Sequence, residues 1–276
     1  MDYNQTKHGT GRLAGKVVVV VGGTSGLGLS AVRAALRESA KVVAVGRNRE
    51  KLGLVEAEMG HGGAIHEGDA MLPGTVESAI ELAKTRFGGF DALYHVAGGS
   101  GRRQGDGPLH ELTDEGWRYT MELNLQSAFF SSRAATREFW TAKRPGSVVL
   151  CGSVLGFSPS PRFFSTHGYA AAKAAIIGLV KASAAYYASY GIRFNVLAPA
   201  LVATPMSERA QGNVEILEFI RTKQPLDGGR IGQPEDLDGA VVWLLGEESR
   251  FVTGQVVTVD GGWTVSEGQL PEVSPV

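Results

Sequence analysis

The sequence predicts one α/β domain built on a doubly wound parallel β-sheet flanked by helices. Three observations carry that prediction. The apolar runs are continuous rather than alternating, which marks strands buried on both faces. They alternate with helical patterns, the rhythm of right-handed βαβ units. Glycine makes up 38 of 276 residues, about twice the usual ~7%, and it clusters at the ends of the apolar runs, where tight turns need it. The rhythm persists to about residue 260 with no linker. The chain is therefore read as a single domain over 1–276, with a core at about 14–263 and loose termini at 1–13 and 264–276.

Taken in order, residues 16–21 are a solid β-branched run, followed by a glycine-rich turn and a helical pattern over 27–39. A second apolar strand covers 41–45, with a helix over 50–59. Residues 64–67 form a weak strand, then Pro73 opens a helix that reaches Phe87. Residues 92–96 are a strand, and one long helical stretch runs over 113–143. A strand at 147–151, an Ala-rich helix at 169–189 and a strand at 193–198 follow. Pro234 opens a helix ending at 245, and residues 256–259 are the last strand.

Composition excludes several classes. With 27 Lys+Arg against 28 Asp+Glu, the formal charge is −1, and no basic stripe offers a nucleic-acid footprint. The single cysteine, Cys151, excludes an internal disulfide framework and fits a reducing compartment. No uncharged apolar run approaches the ~18 residues a membrane span needs. The expectation is a soluble, cytoplasmic protein that meets neither nucleic acid nor membrane. His61 and His66 lack partner ligands, so no metal site is expected.

After the first strand comes Gly22-Gly23-Thr24-Ser25-Gly26-Leu27-Gly28. Glycines there let backbone amides approach a pyrophosphate, which sits on the N-terminus of the following helix. An NTP-binding Walker loop is excluded, because Leu29-Ser30 occupy the place of its Lys-Ser/Thr. The remaining choice is a Rossmann-type dinucleotide site or a glycine turn without ligand. About 20 residues on, where an acidic side chain would grip a ribose 2′-hydroxyl, the chain has Gly46-Arg47. A guanidinium suits a 2′-phosphate, so NADP(H) is preferred over NAD(H), which stays possible.

Tyr169 and Lys173 stand at i and i+4, one turn apart on one helix face. A fixed cation favours the phenolate and is expected to lower the tyrosine pKa by roughly 1–3 units, making the phenol an acid or base toward a carbonyl or alcohol oxygen. Ser153 lies just past a strand, at the sheet edge where such folds bind ligands. Asn124 sits mid-helix, an odd place for a poor helix former, as a kink or as a water-holding group in a proton relay.

These motifs together resemble the short-chain dehydrogenase/reductase family, over essentially the whole chain. The glycine turn, Asp69, Ala97-Gly98, Asn124, Ser153, Tyr169, Lys173, Asn195, Pro199, Thr204 and Asp260-Gly261-Gly262 fall in that family's order. The resemblance implies Tyr169 as general acid/base, with Lys173 lowering its pKa and binding the nicotinamide ribose. It implies Ser153 orienting the substrate and Asn124 completing the relay. Asp69, with Ala70 beside it, would hold the adenine side, and Val202 and Thr204 the carboxamide. It also implies a homotetramer or dimer. The chain departs from the pattern at Val21, at His95-Val96 in place of Asn-Asn, at Ala200, and in a short insertion over 157–167.

A hydrolase triad of Ser153 with His167 fails, because Gly152-Ser153-Val154-Leu155-Gly156 lacks the nucleophile elbow. Cys151 reads as a small apolar strand residue. The substrate pocket is expected to be lined by Val154, Leu155, Phe157, Phe163, Phe164 and a lid over 206–224 beginning at Met206. The phenylalanines favour an apolar carbonyl compound or simply pack the inserted loop. Arg102-Arg103 are solvated or meet an anionic substrate. The leading reading is hydride transfer between NADP(H) and a secondary alcohol or ketone. The others are a non-catalytic dinucleotide sensor and an isomerase or dehydratase on the same fold.

Overall fold

The computed structural model describes residues 11–268. Within them seven strands form one parallel sheet in the order β3-β2-β1-β4-β5-β6-β7. The strands are β1 (Val17–Val21), β2 (Lys41–Gly46), β3 (Gly63–Glu67), β4 (Ala92–His95), β5 (Gly146–Cys151), β6 (Ile192–Pro199) and β7 (Val256–Val259). All seven match the runs expected from sequence to within a few residues. The helices are α1 (Gly26–Arg37), α2 (Arg49–Met59), α3 (Thr75–Phe87), α4 (Asp114–Met121), α5 (Ser127–Ala142), α6 (His167–Tyr187), α7 (Glu208–Gln211), α8 (Val214–Lys223) and α9 (Asp238–Leu245).

The unbroken valine run of β1 has a direct cause. Val17, Val19 and Val21 enter the core beneath α3, α5 and α6, where Ile80, Phe139 and Ile176 are buried. Val18 and Val20 enter the core beneath α1, α2 and α9, with Val32, Val55 and Val241. Both faces of the strand are dry, so neither tolerates a polar residue. A third, smaller core lies outside the sheet, where Val154, Ala210, Ile216, Ile220 and Trp263 pack together.

Two expectations need correction. The stretch 113–143 is not one α-helix: α4 and α5 are joined by a π-helical turn over Glu122–Gln126. Asn124 lies inside it and donates Nδ2 to the Thr120 carbonyl at 2.9 Å. That side chain competes for the acceptor a regular helical N–H would use, and the turn widens. Likewise 11–13 and 264–268 are not loose. Leu13 is fully buried and donates its N–H to Glu38 O, while Thr264 is tied to Asp260. The rest of both expected termini, 1–10 and 269–276, lies outside the described residues.

Candidate active site

Strand order reverses between β1 and β4, and a doubly wound sheet opens a crevice at the carboxyl ends of the strands there. A cavity of about 1010 Å³ occupies that place. Every residue assigned to the dinucleotide lines it: Gly22, Thr24, Ser25, Gly26, Leu27, Gly28, Arg47, Asp69, Ala70, Ala97, Gly98, Tyr169, Lys173, Pro199, Val202 and Thr204.

The glycine turn is built for close approach. Gly22 has φ +94°, and a Cβ there would sit 2.7 Å from the Ala97 nitrogen. A Cβ on Gly28 would fall 2.0 Å from the Gly22 carbonyl oxygen. Ser25, the N-cap of α1, makes no side-chain cap, which leaves the first-turn amides to a ligand. Thr204, beyond β6, approaches the same turn from across the cleft, its Cγ2 3.1 Å from where a Gly26 Cβ would be. At the end of β2, a Cβ on Gly46 would lie 2.5 Å from Thr24 Cγ2. The position that would carry a ribose-binding carboxylate thus has no room for one unless Thr24 moves. Arg47 follows it, with Nη1 3.4 Å from Asp69 Oδ2 and most of its side chain in solvent. This cradle fits a nicotinamide dinucleotide.

The reacting end gathers Ser153, Tyr169 and Lys173 on one wall. Tyr169 lies on the first turn of α6, aimed by a residue the motif search passed over. Asp106, itself buried, accepts the N–H groups of Gly168 and Tyr169, both at 2.9 Å. Nothing in the local sequence marks Asp106, since it acts from 63 residues away. Lys173, one turn on, is buried, donates Nζ to Cys151 O at 2.8 Å and sits 5.5 Å from the Tyr169 ring centroid. Ser153 accepts from Leu155 N–H.

The expected lowering of the Tyr169 pKa is overturned. Burial, the largest effect, raises the phenol above its ordinary value, and the Ser153 hydroxyl pulls it only partway back. Burial likewise lowers the Lys173 ammonium. Tyr169 is therefore a neutral phenol near pH 7, with a proton to give in reduction.

Asn124 does not line the cavity; it is fully buried behind it. Its Oδ1 accepts Gly99 N–H at 3.1 Å and its Nδ2 donates to Gly99 O and Thr120 O. Both amide hydrogens are used. The carboxamide fixes the Gly98-Gly99 backbone beside Lys173, whose Nζ is 3.4 Å from an ideal Gly98 Cβ.

His95 explains one departure from the family pattern. Its Nδ1 lies 2.8 Å from Ser131 Oγ and its Nε2 3.3 Å from Ser127 Oγ. It braces β4 against α5, as the absent amide would. Burial first, then the nearby Lys173 charge, hold the imidazole down to about 3, so it is neutral.

The substrate end is partly as expected. Val154, Leu155, Phe164 and Met206 line the cavity. Phe157 and Phe163 do not: Phe157 is largely exposed, and the Phe163 ring packs on Phe219 at 5.2 Å. Packing the inserted loop is thus the role of Phe163. Sequence reasoning missed Trp263, a buried part of the wall that donates Nε1 to Ser158 O.

Comparison with known proteins agrees with this arrangement. The family described as enoyl-(acyl carrier protein) reductase matches residues 21–264. The chain is 33% identical to a 2,5-dichloro-2,5-cyclohexadiene-1,4-diol dehydrogenase of Sphingobium indicum, covering 91% of this chain and 98% of that one. It is also 33% identical to 2-(S)-hydroxypropyl-CoM dehydrogenase 3 of Xanthobacter autotrophicus, over 92% and 98%. A 3-alpha-(or 20-beta)-hydroxysteroid dehydrogenase of Mycobacterium tuberculosis matches at 33%, over 92% and 91%. The chain belongs to the short-chain dehydrogenase/reductase family. As a member of that family it is an oxidoreductase that uses a nicotinamide dinucleotide. No helix among the described residues is long and apolar enough to cross a membrane.

Proposed function

We propose that this short-chain dehydrogenase/reductase interconverts a secondary alcohol and a ketone with NADP(H), using Tyr169 as the proton donor in reduction. The observation that carries the reading is the convergence of Ser153, Tyr169 and Lys173 on the cavity that the glycine turn also lines. When bound, the dinucleotide supplies or takes the hydride. Ser153 and Tyr169 hold the substrate oxygen by hydrogen bonds. In reduction the phenol proton passes to that oxygen, and the Lys173 ammonium stabilises the phenolate left behind. Lys173 also holds the nicotinamide ribose, and Asn124 is a positioning residue that fixes the Gly98-Gly99 edge of the site. Val202 and Thr204 hold the carboxamide, Asp69 and Ala70 the adenine side.

The preference for the phosphorylated cofactor rests on Gly46, closed to a carboxylate by Thr24, and on Arg47 beside it. Absorbance at 340 nm with a ketone panel, NADPH against NADH, tests both points. Turnover that favours NADPH and falls at least ~10²-fold in Tyr169→Phe is the expected result. Turnover that survives the substitution removes Tyr169 from the role given it.

Assembly as a homotetramer or dimer is supported by an exposed aromatic cluster on α5, the end of α6 and the turn that follows it. There Trp140 meets Tyr190 at a tilt and Tyr190 stacks on Tyr186, and yet all three stand open to solvent. Sedimentation as a monomer at micromolar concentration would overturn it. A cytoplasmic location is supported by a lone, buried, free cysteine.

A further inference from the structure

Two arginines that line the cavity converge on one carbonyl oxygen behind its wall. Arg102, in the loop after β4, donates Nη2 to Phe163 O at 3.3 Å. Arg209, in α7, donates Nη2 to the same oxygen at 2.9 Å. Both side chains line the cavity that holds Ser153 and Tyr169. Among the described residues neither arginine has an ion pair within 4.0 Å. Asp106 lies close enough to act on Arg102 electrostatically, but both its oxygens are committed to the N-terminus of α6. Glu208 also lines the cavity and pairs with neither arginine.

A guanidinium carries five N–H donors, and a carbonyl oxygen offers two lone pairs. Among the described residues the shared carbonyl is the one hydrogen-bond acceptor of either side chain, and Arg209 also lies 5.9 Å over the Phe164 ring, so most of the guanidinium donors are open to water or a ligand. Arg102 is half-buried, and both burial and the neighbouring Arg209 weaken its hold on its proton. Arg209 beside it is exposed, so the two like charges meet at the rim of the cavity, where an anion that joins them relieves their repulsion. The carbonyl that brings them together belongs to Phe163, inside the 157–167 insertion that sets this chain apart from the family pattern. The stretch of wall contributed by Leu155, Phe164 and Trp263 is apolar.

We infer that the substrate is an amphipathic keto or hydroxy acid whose anionic group, a carboxylate, sulfonate or phosphate, is gripped by Arg102 and Arg209 while its carbonyl or alcohol meets Ser153 and Tyr169. The inference rests on the carbonyl–alcohol reading above. The planar fork of arginine matches such oxyanions bidentately, and the apolar wall takes the chain between the two ends.

The test uses methyl-ketone acids of increasing length, from 4-oxopentanoate to 8-oxononanoate, each beside its methyl ester, with NADPH. For at least one length the acid is expected to exceed its ester in kcat/KM by about tenfold or more. In Arg102→Met/Arg209→Met that ratio falls toward 1, while Arg102→Lys/Arg209→Lys, which keeps both charges, retains part of it. Tyr169-dependent turnover in which ester equals or beats acid at every length overturns the anion site and leaves the reductase reading standing. If no member turns over, that result counts against the carbonyl–alcohol reading, and calorimetry on the NADP⁺-loaded enzyme decides the anion site separately. Heat from the acids that the ester lacks and the double Met variant abolishes supports the site; no such heat refutes it.

Discussion

Asp106→Asn isolates the device that aims the proton donor. The carboxylate accepts two backbone N–H groups at 2.9 Å each from a buried position at the start of α6. Hydrogen bonds to a charged acceptor contribute about 1.5–3 kcal/mol apiece, and an anion at a helix N-terminus adds about 0.3–1 kcal/mol. Asparagine keeps one acceptor at neutral strength and sets its NH₂ against the other amide hydrogen. The expected loss is about 2–4 kcal/mol, read by urea denaturation with m unchanged. Because the lost bond starts at the nitrogen of Tyr169 or of its neighbour Gly168, the phenol shifts with it. Misplacement on the scale of 1 Å costs up to ~10²-fold, so kcat should fall about 10- to 100-fold while the KM for NADPH changes less than about threefold. A stability loss below about 0.5 kcal/mol would refute the energetic argument. Full kcat in a destabilised variant would refute the positioning one.

Other outcomes follow from the same geometry. His95 has a folded pKa of about 3 against an unfolded value near 6.5. The unfolded chain therefore takes up the proton first, and stability is lost as pH falls from about 6.5 toward 3. The slope is about 1.4 kcal/mol per pH unit, or about 2 kcal/mol by pH 5, and His95→Asn should flatten it in denaturation curves taken across that window. Since burial keeps Tyr169 protonated, ketone reduction should be flat from about pH 6 to 9 while alcohol oxidation rises toward tenfold per unit; a reduction rate that halves near pH 7 would contradict this. Gly46→Asp should lose about 1–3 kcal/mol through its clash with the Thr24 methyl. Adding Thr24→Ser should restore part of that and move the KM ratio toward NADH.

The positions of the strands along the chain and the place of the glycine turn were legible because each rests on local chemistry. A dry strand must be apolar throughout, and a pyrophosphate turn must be glycine. Tyr169 and Lys173 were legible for the same reason, being one helical turn apart. The pKa of Tyr169 was not, because spacing reports the cation and is silent on burial, which outweighs it here. Asp106 escaped notice because its partners lie 62 and 63 residues away; Arg102 was singled out with Arg103, but its convergence with Arg209, 107 positions on (209 − 102), was not legible. Periodicity ran the 113–143 helix unbroken, and only the poor helix former Asn124, one of whose two readings was a kink, hinted at the break that its side-chain hydrogen bond makes. Phe163 shows the converse: its composition pointed to the pocket, and its neighbour Phe219 claimed the ring.

The small core beneath α7 and α8 shares no buried residue with either core of the sheet. One clasp between it and the chain leaving β6 is Gln224, whose carboxamide both accepts from and donates to the backbone of Leu201. A segment with its own interior unfolds and refolds on its own account. Amide hydrogens of 208–223 should therefore exchange with solvent orders of magnitude faster than those of β1, while the sheet stays intact. If they do, one chain joins two layers of stability: a slow-exchanging sheet that holds the cofactor cradle, and a separately packed cover that opens without disturbing it.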